Sequence, residues 1–211
     1  MGRSAEFSRA GEQAREVLDA KHRAREVTLG ACRRAIQSSA RSIRAMHRGE
    51  IDNARTLVAE AREALVEADA ALLGHADVRY AGFLRDATKE YVEACLTIAF
   101  VRGEPLPTVD DLGAEPSAYL NGMAEAASEL RREVLDCLRA NELAKAEELM
   151  AVMDDVYSLL VTVDYPDALT GGLRRSTDAL RAVLERTRGD LTTTMVAARL
   201  QASIDRMSGG S

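Results

Sequence analysis

Apolar residues recur at every third and fourth position along almost the whole chain, the period of helices with one buried face. The clearest stripe is Ile51, Ala54, Leu57, Ala61, Leu65, Ala68 and Leu72, which predicts a helix over about 51–73 with Gly74 as its stop. Before it, the pattern predicts a helix over about 5–47. Gly30 interrupts that helix at a cost of roughly 1 kcal/mol relative to Ala, and the Gly49 region ends it. A third helix is expected over about 76–102, stopping at Gly103. The linker GEPLPTVDD follows, with Thr108 and Asp111 spaced as a capping pair for a short helix. Pro116 fits the first turn of a long helix over about 116–140. Further helices are expected over about 142–162 and about 168–188, separated at Tyr165-Pro166-Asp167. The second of them ends at Gly189, and Asp190 opens a last helix to about 207. No stretch alternates long enough for a strand, and no internal repeat is present. The expectation is all-α: a single antiparallel helical bundle of about seven helices forming one domain over 1–207, with 208–211 a flexible tail.

Composition supports that reading. Of 211 residues, 46% are hydrophobic, only 4% are aromatic and four are proline, so the core must be layered from Leu, Val, Met and Ala. No apolar run reaches the roughly 18–20 residues of a membrane span, and the first residues, MGRSAEFSRAGEQ, lack the apolar stretch of a secretory signal. Cys32, Cys95 and Cys137 are scattered, which reads as reduced thiols in a cytoplasmic protein. His22, His47 and His75 have no zinc-ligand spacing and all precede residue 76, so no Ser/His/Asp or Cys/His grouping is expected.

The net charge of −6 argues mildly against a polyanionic partner, but its distribution does not. Residues 21–48 hold Lys21, Arg23, Arg25, Arg33, Arg34, Arg41, Arg44 and Arg48 against the single acid Glu26. Such a segment on an acidic body either faces nucleic acid or pairs with acidic helices of the same assembly.

Two acidic pairs are candidates for chemistry. Glu90 and Glu93 are three residues apart on one helical face, and Glu93 is the only charge in YVEACLTIAFV (91–101). A lone carboxylate in such a run needs a partner or a cation. Glu125 and Glu129 are four apart among small residues that permit close helix approach. If the two helices pack antiparallel, the four carboxylates meet, and an all-oxygen set suits Mg²⁺ or Mn²⁺. The alternative is that both pairs are solvated faces, as most such pairs are. Gly171-Gly172 lacks a following Lys-Ser/Thr and forms no phosphate loop of the usual kind.

Four segments, KHRAREV (21–27), IRAMHR (43–48), KEYVEA (89–94) and YLNGMAEAASEL (119–130), resemble the translin family. Within it the resemblance is closer to translin-associated factor X, in a compact prokaryotic or archaeal-type form. It covers about residues 20–188. It implies a translin-like bundle that assembles as a hollow homo-octamer holding RNA inside, and a catalytic subunit whose acids fall on Glu90, Glu93, Glu125 and Glu129. The position of Glu125 is commonly Asp in the family. On this reading Glu93, Glu125 and Glu129 hold one Mg²⁺ or Mn²⁺, and Glu90 orients or deprotonates the attacking water. Lys21, Arg25, Arg33, Arg34, Arg41, Arg44, Arg48 and Arg132 contact the nucleic-acid backbone. The expected function is metal-dependent endoribonuclease activity on short or single-stranded RNA. The alternatives are a non-catalytic shell binding RNA or single-stranded DNA, and a plain helical scaffold. A di-iron bundle requires Glu-x-x-His, and no histidine is expected near these acids.

Overall fold

A computed structural model of the chain describes residues 3–208. Among the described residues there are nine helices and no strand. Six are long: α1 (Arg3–Met46), α2 (Ile51–Ala71), α4 (Phe83–Arg102), α6 (Pro116–Arg139), α7 (Leu143–Leu160) and α9 (Leu173–Ser208). Three are single turns: α3 (Ala76–Arg79), α5 (Val109–Leu112) and α8 (Asp167–Thr170). The helix expected over 76–102 breaks at Tyr80–Gly82, so α3 is separate. Gly189 does not end a helix. Thr187 and Leu191, buried on either side of it, anchor α9 to its neighbours, and that burial exceeds the roughly 1 kcal/mol propensity cost of one glycine. The break falls instead at Gly171-Gly172, both at positive φ. Ser208 ends α9, and the rest of the expected tail lies outside the described residues.

Side-chain pairings give the helix directions. Thr28 lies against Ala68 and Ser42 against Ala54, so α1 and α2 are antiparallel. Gly122 packs on Lys89 and Val92, while His47, next to the end of α1, reaches Glu129 and Glu133. Asn121 pairs with Ser176 and Arg131 with Thr187, so α6 and α9 run the same way. Helices α4 and α6 are also parallel, because residues 103–115 carry the chain back alongside the bundle before α6 begins. That connection is fixed by the Thr108–Asp111 capping box, as its spacing predicts, and by Tyr119, whose hydroxyl donates to the Pro107 carbonyl at 2.8 Å. The acidic pairs are thus brought level by a parallel crossing and not by the antiparallel one expected from the sequence.

The core is alanine-rich at the helix crossings (Ala31, Ala35, Ala61, Ala87, Ala126, Ala127) and filled by Leu96, Leu130, Leu149, Met153 and Leu180. Small side chains let helix axes approach, and the leucines occupy the space between crossings. Burial in α1 begins only at Thr28, and in α9 it ends at Leu191. Beyond Leu191, Val196, Leu200, Ile204 and Met207 form an exposed apolar stripe at helical spacing. No helix among the described residues is long and apolar enough to cross a membrane.

Candidate metal centre

Gly122 sets the spacing of the site. A Cβ at this position would stand 2.8 Å from the Lys89 carbonyl oxygen and 2.9 Å from Val92 Cβ, so the two helices touch backbone to backbone here. One turn on, Glu125 meets Glu90 and Glu93. Carboxylate oxygens of Glu90, Glu93 and Glu125 all lie within 4.8 Å of one another. Donor oxygens around a Mg²⁺ at 2.0–2.1 Å are roughly 3–4 Å apart, so small rotations of the part-exposed Glu90 and Glu125 suffice to enclose an ion.

Glu93 is the unusual member. It is 9% exposed, and no hydrogen bond or ion pair reaches its carboxylate among the described residues. Burial, followed by the charges of Glu125, Glu90 and Glu129, pushes its pKa up to about 8, with Lys89 opposing. Lys89 Nζ lies 2.6 Å from Glu125 Oε1 and 3.2 Å from Glu90 Oε1. Burial works against the ammonium, but these two carboxylates outweigh it and its pKa is raised. One proton on Glu93 and the Lys89 ammonium therefore offset two of the three carboxylate charges and leave the cluster with one net negative charge. The donor set fits a hard divalent cation: all oxygen, with one buried carboxylate lacking a counter-charge of its own.

Glu129 lies outside this cluster and is held elsewhere. His47 Nε2 is 2.9 Å from Glu129 Oε2, and His47 Nδ1 is 2.7 Å from Glu133 Oε1. Carboxylates only accept, so an imidazole bonded to two of them must donate from both nitrogens and is the imidazolium. The Glu129 hydrogen bond, followed by that of Glu133, raises the His47 pKa to about 9. The His47 side chain is only 3% exposed. A raised folded-state pKa contributes stability that is complete below the unfolded value of 6.5 and disappears as pH rises through about 9. The advantage of the wild type over His47→Gln in chemical denaturation should therefore shrink by about 2–3 kcal/mol between about pH 6 and pH 10. A constant difference would contradict the double hydrogen bond.

His47 is the residue that sequence reasoning missed, and the expectation of no histidine near the acids is wrong for Glu129. Eighty-two residues separate the two, so no local spacing shows the contact. The one available signal was its place inside IRAMHR, a segment carrying the family resemblance.

The basic residues divide into two sets. Lys21 pairs with Asp77, Arg25 with Glu26, Arg34 with Glu67 and Arg48 with Glu50. Arg33, Arg41, Arg44 and Arg132 are exposed and have no ion pair among the described residues. Pairing within the chain thus accounts for half of the expected contacts and leaves the other half available.

No protein-family model matches the chain. The structure of AfC3PO superposes with a TM-score of 0.78 at 33% identity, covering 88% of this chain and 97% of that one. The chain belongs to the C3PO family of translin-type proteins. AfC3PO has also been solved as a complex with duplex RNA, matched at 32% identity over 88% of this chain and 96% of that one, with a TM-score of 0.78. Apo-NeC3PO, at 18% identity, shares the C3PO fold with a TM-score of 0.76 over 87% of this chain and 96% of its own. An uncharacterized protein of Methanocaldococcus jannaschii is 31% identical over 132 residues, or 62% of this chain. The chain spans 59% of the length of that relative.

Proposed function

We propose that this C3PO-type protein binds RNA and cleaves its phosphodiester backbone with a divalent cation, Mg²⁺ or Mn²⁺, held by Glu90, Glu93 and Glu125. The observation that carries the reading is the buried, unpartnered Glu93 carboxylate beside two others. The complex of AfC3PO with duplex RNA supports the choice of substrate. A bound divalent ion supplies electrostatic stabilisation of the phosphate and a water acidic enough to attack near neutral pH. Glu93 gives up its proton to enter the ligand set. Glu90, part-exposed at the edge of the cluster, gives one carboxylate oxygen to the cation and keeps the other to orient the attacking water or take its proton. Glu129, fixed by His47, adds negative charge beside the cluster without leaving its own partner. Arg132 and the unpaired Arg33, Arg41 and Arg44 hold backbone phosphates, which gives strong salt dependence and little sequence preference. The exposed stripe Val196, Leu200, Ile204 and Met207 supports assembly of several copies. The form we propose is an octameric shell in the cytoplasm.

Incubation of the protein with short single-stranded RNA tests this reading. Cleavage should require Mg²⁺ or Mn²⁺, stop with chelator, and fall sharply in Glu93→Ala and Glu125→Ala. Equal cleavage by all three proteins would end the catalytic assignment.

The paired position of Lys89 favours a second reading, in which its ammonium is the permanent counter-ion of a structural acid cluster in a non-catalytic shell for RNA or single-stranded DNA. Lys89→Met separates the two. If Lys89 competes with a metal, the variant should bind Mn²⁺ several-fold more tightly and gain thermal stability from it. If Lys89 is the permanent partner, the variant should be destabilised with or without Mn²⁺.

A further inference from the structure

Next to the carboxylate cluster lies a cavity of about 830 Å³ that the catalytic reading does not use. Lys89 and Glu125 belong to both, and Arg85, Arg174 and Arg175 also line it. Its volume is within the range of small-ligand pockets, about 300–1,000 Å³.

Its cations are placed against their local preference. Arg174 and Arg175 lie in the first turn of the 36-residue helix α9, which has no acid in that turn. The N-terminal end of a helix carries partial positive charge and favours anions, so two arginines there are mutually and locally repelled. Neither has an ion-pair partner among the described residues, and both are exposed. The Arg85 guanidinium rests against Gly171, where φ is +59° and a Cβ would stand 3.1 Å from Arg85 Nη1. A side chain at Gly171 would be strained by that φ and would displace the guanidinium. Among the described residues the only carboxylate in an ion pair with Arg85 is its chain neighbour Asp86, at a loose 3.6 Å.

Four carboxylates line the same cavity, and two have closer partners. Glu125 is bound to Lys89, and Asp167 Oδ1 accepts from the Gly172 N–H at 2.9 Å. Asp86 makes only the loose contact with Arg85, and no carboxylate pairs with Arg174 or Arg175 among the described residues. Guanidinium forks match phosphate geometry, and a bound anion would turn the unfavourable charge at the start of α9 into a favourable one.

We infer that this cavity is a phosphate subsite, in which Arg85, Arg174 and Arg175 hold the RNA phosphodiesters adjoining the one at the carboxylate cluster. The inference rests on the RNA-binding reading above and assigns it a surface separate from α1. It also gives Gly171 a part in phosphate binding through the Arg85 guanidinium packed on it, without a glycine-rich phosphate loop.

Fluorescence anisotropy of a labelled short RNA duplex with the full chain, in chelator so that nothing is cut, tests the subsite. In the double variant R174Q/R175Q, affinity should fall about tenfold or more, and the slope of log K against log salt, between about 50 and 200 mM, should lessen by roughly 1–2. The control R139Q/R199Q removes the same charge from exposed positions outside the cavity and should change affinity less than about twofold. Wild-type affinity and slope in R174Q/R175Q would overturn the subsite and leave the RNA reading standing, and so would an equal loss in the control. Failure of the wild type to bind RNA would overturn the RNA reading and the subsite with it.

Discussion

Glu93→Gln should abolish cation-dependent RNA cleavage, by on the order of 100-fold or more, and at the same time make the metal-free protein more stable at alkaline pH. The two effects have one origin. Glutamine has the shape of protonated glutamic acid, but it cannot become a carboxylate ligand. In the wild type the folded-state pKa of Glu93 is about 8, against an ordinary value of 4.5. The proton is thus bound more tightly in the folded state, and the associated stability is full below pH 4.5 and lost as pH rises through about 8. Glu93→Gln has no proton to lose. Without divalent cation the variant should gain on the wild type by about 2–4 kcal/mol between about pH 5 and pH 9. Saturating Mn²⁺ should reverse the order, since a ligand of the folded state alone stabilises only the protein that binds it. Thermal melts at both pH values, with and without Mn²⁺, provide the four comparisons. A variant less stable than the wild type at pH 9 without metal would contradict the buried, uncompensated carboxylate.

Gly122→Ala should damage both the bundle and the site. Helix propensity alone favours Ala by about 1 kcal/mol, which predicts stabilisation. Packing opposes it. The new methyl would meet the Lys89 carbonyl oxygen at 2.8 Å and Val92 at 2.9 Å, and neither backbone carbonyl nor Cβ can rotate away. Helices α4 and α6 must separate, at a cost typical of overpacking, so the net loss should be about 1–3 kcal/mol, a fall in melting temperature of several degrees. Because the same contact sets the distance from Glu93 to Glu125, Mn²⁺ affinity should fall at least about tenfold, as it does when the supporting shell of a metal site moves. Gly189→Ala is the matched control. That glycine is helical and exposed, with nothing within 4 Å of an added Cβ, so the substitution should raise the melting temperature slightly. Destabilisation by Gly189→Ala, or stabilisation by Gly122→Ala, would contradict this account of the helix contact.

The helices were legible because their determinants are local. The stripe from Ile51 to Leu72, the Thr108–Asp111 box and Pro116 each act within a few residues. Gly189 misled because its effect depends on what its neighbours bury, and Thr187 and Leu191 are buried by contacts distant in sequence. The clustering of Glu90, Glu93 and Glu125 was partly legible, since one charge in an apolar run marks a group that must be compensated. The crossing direction of α4 and α6 was not, because the 103–115 connection decides it and its path depends on contacts such as Tyr119 with Pro107. His47 was hidden for the same reason, and so was the cavity at Arg85, Arg174 and Arg175, which is assembled from α4, α6 and the α8–α9 turn.

Titration of the chelator-treated protein with Mn²⁺ at about pH 8, by calorimetry in two buffers of different ionisation enthalpy, tests the central claim most directly. The account predicts one ion per chain, release of close to half a proton or more as Glu93 becomes a ligand, and loss of binding in Glu93→Gln. Absence of Mn²⁺ binding by the wild type, or equal binding by Glu93→Gln, would contradict it.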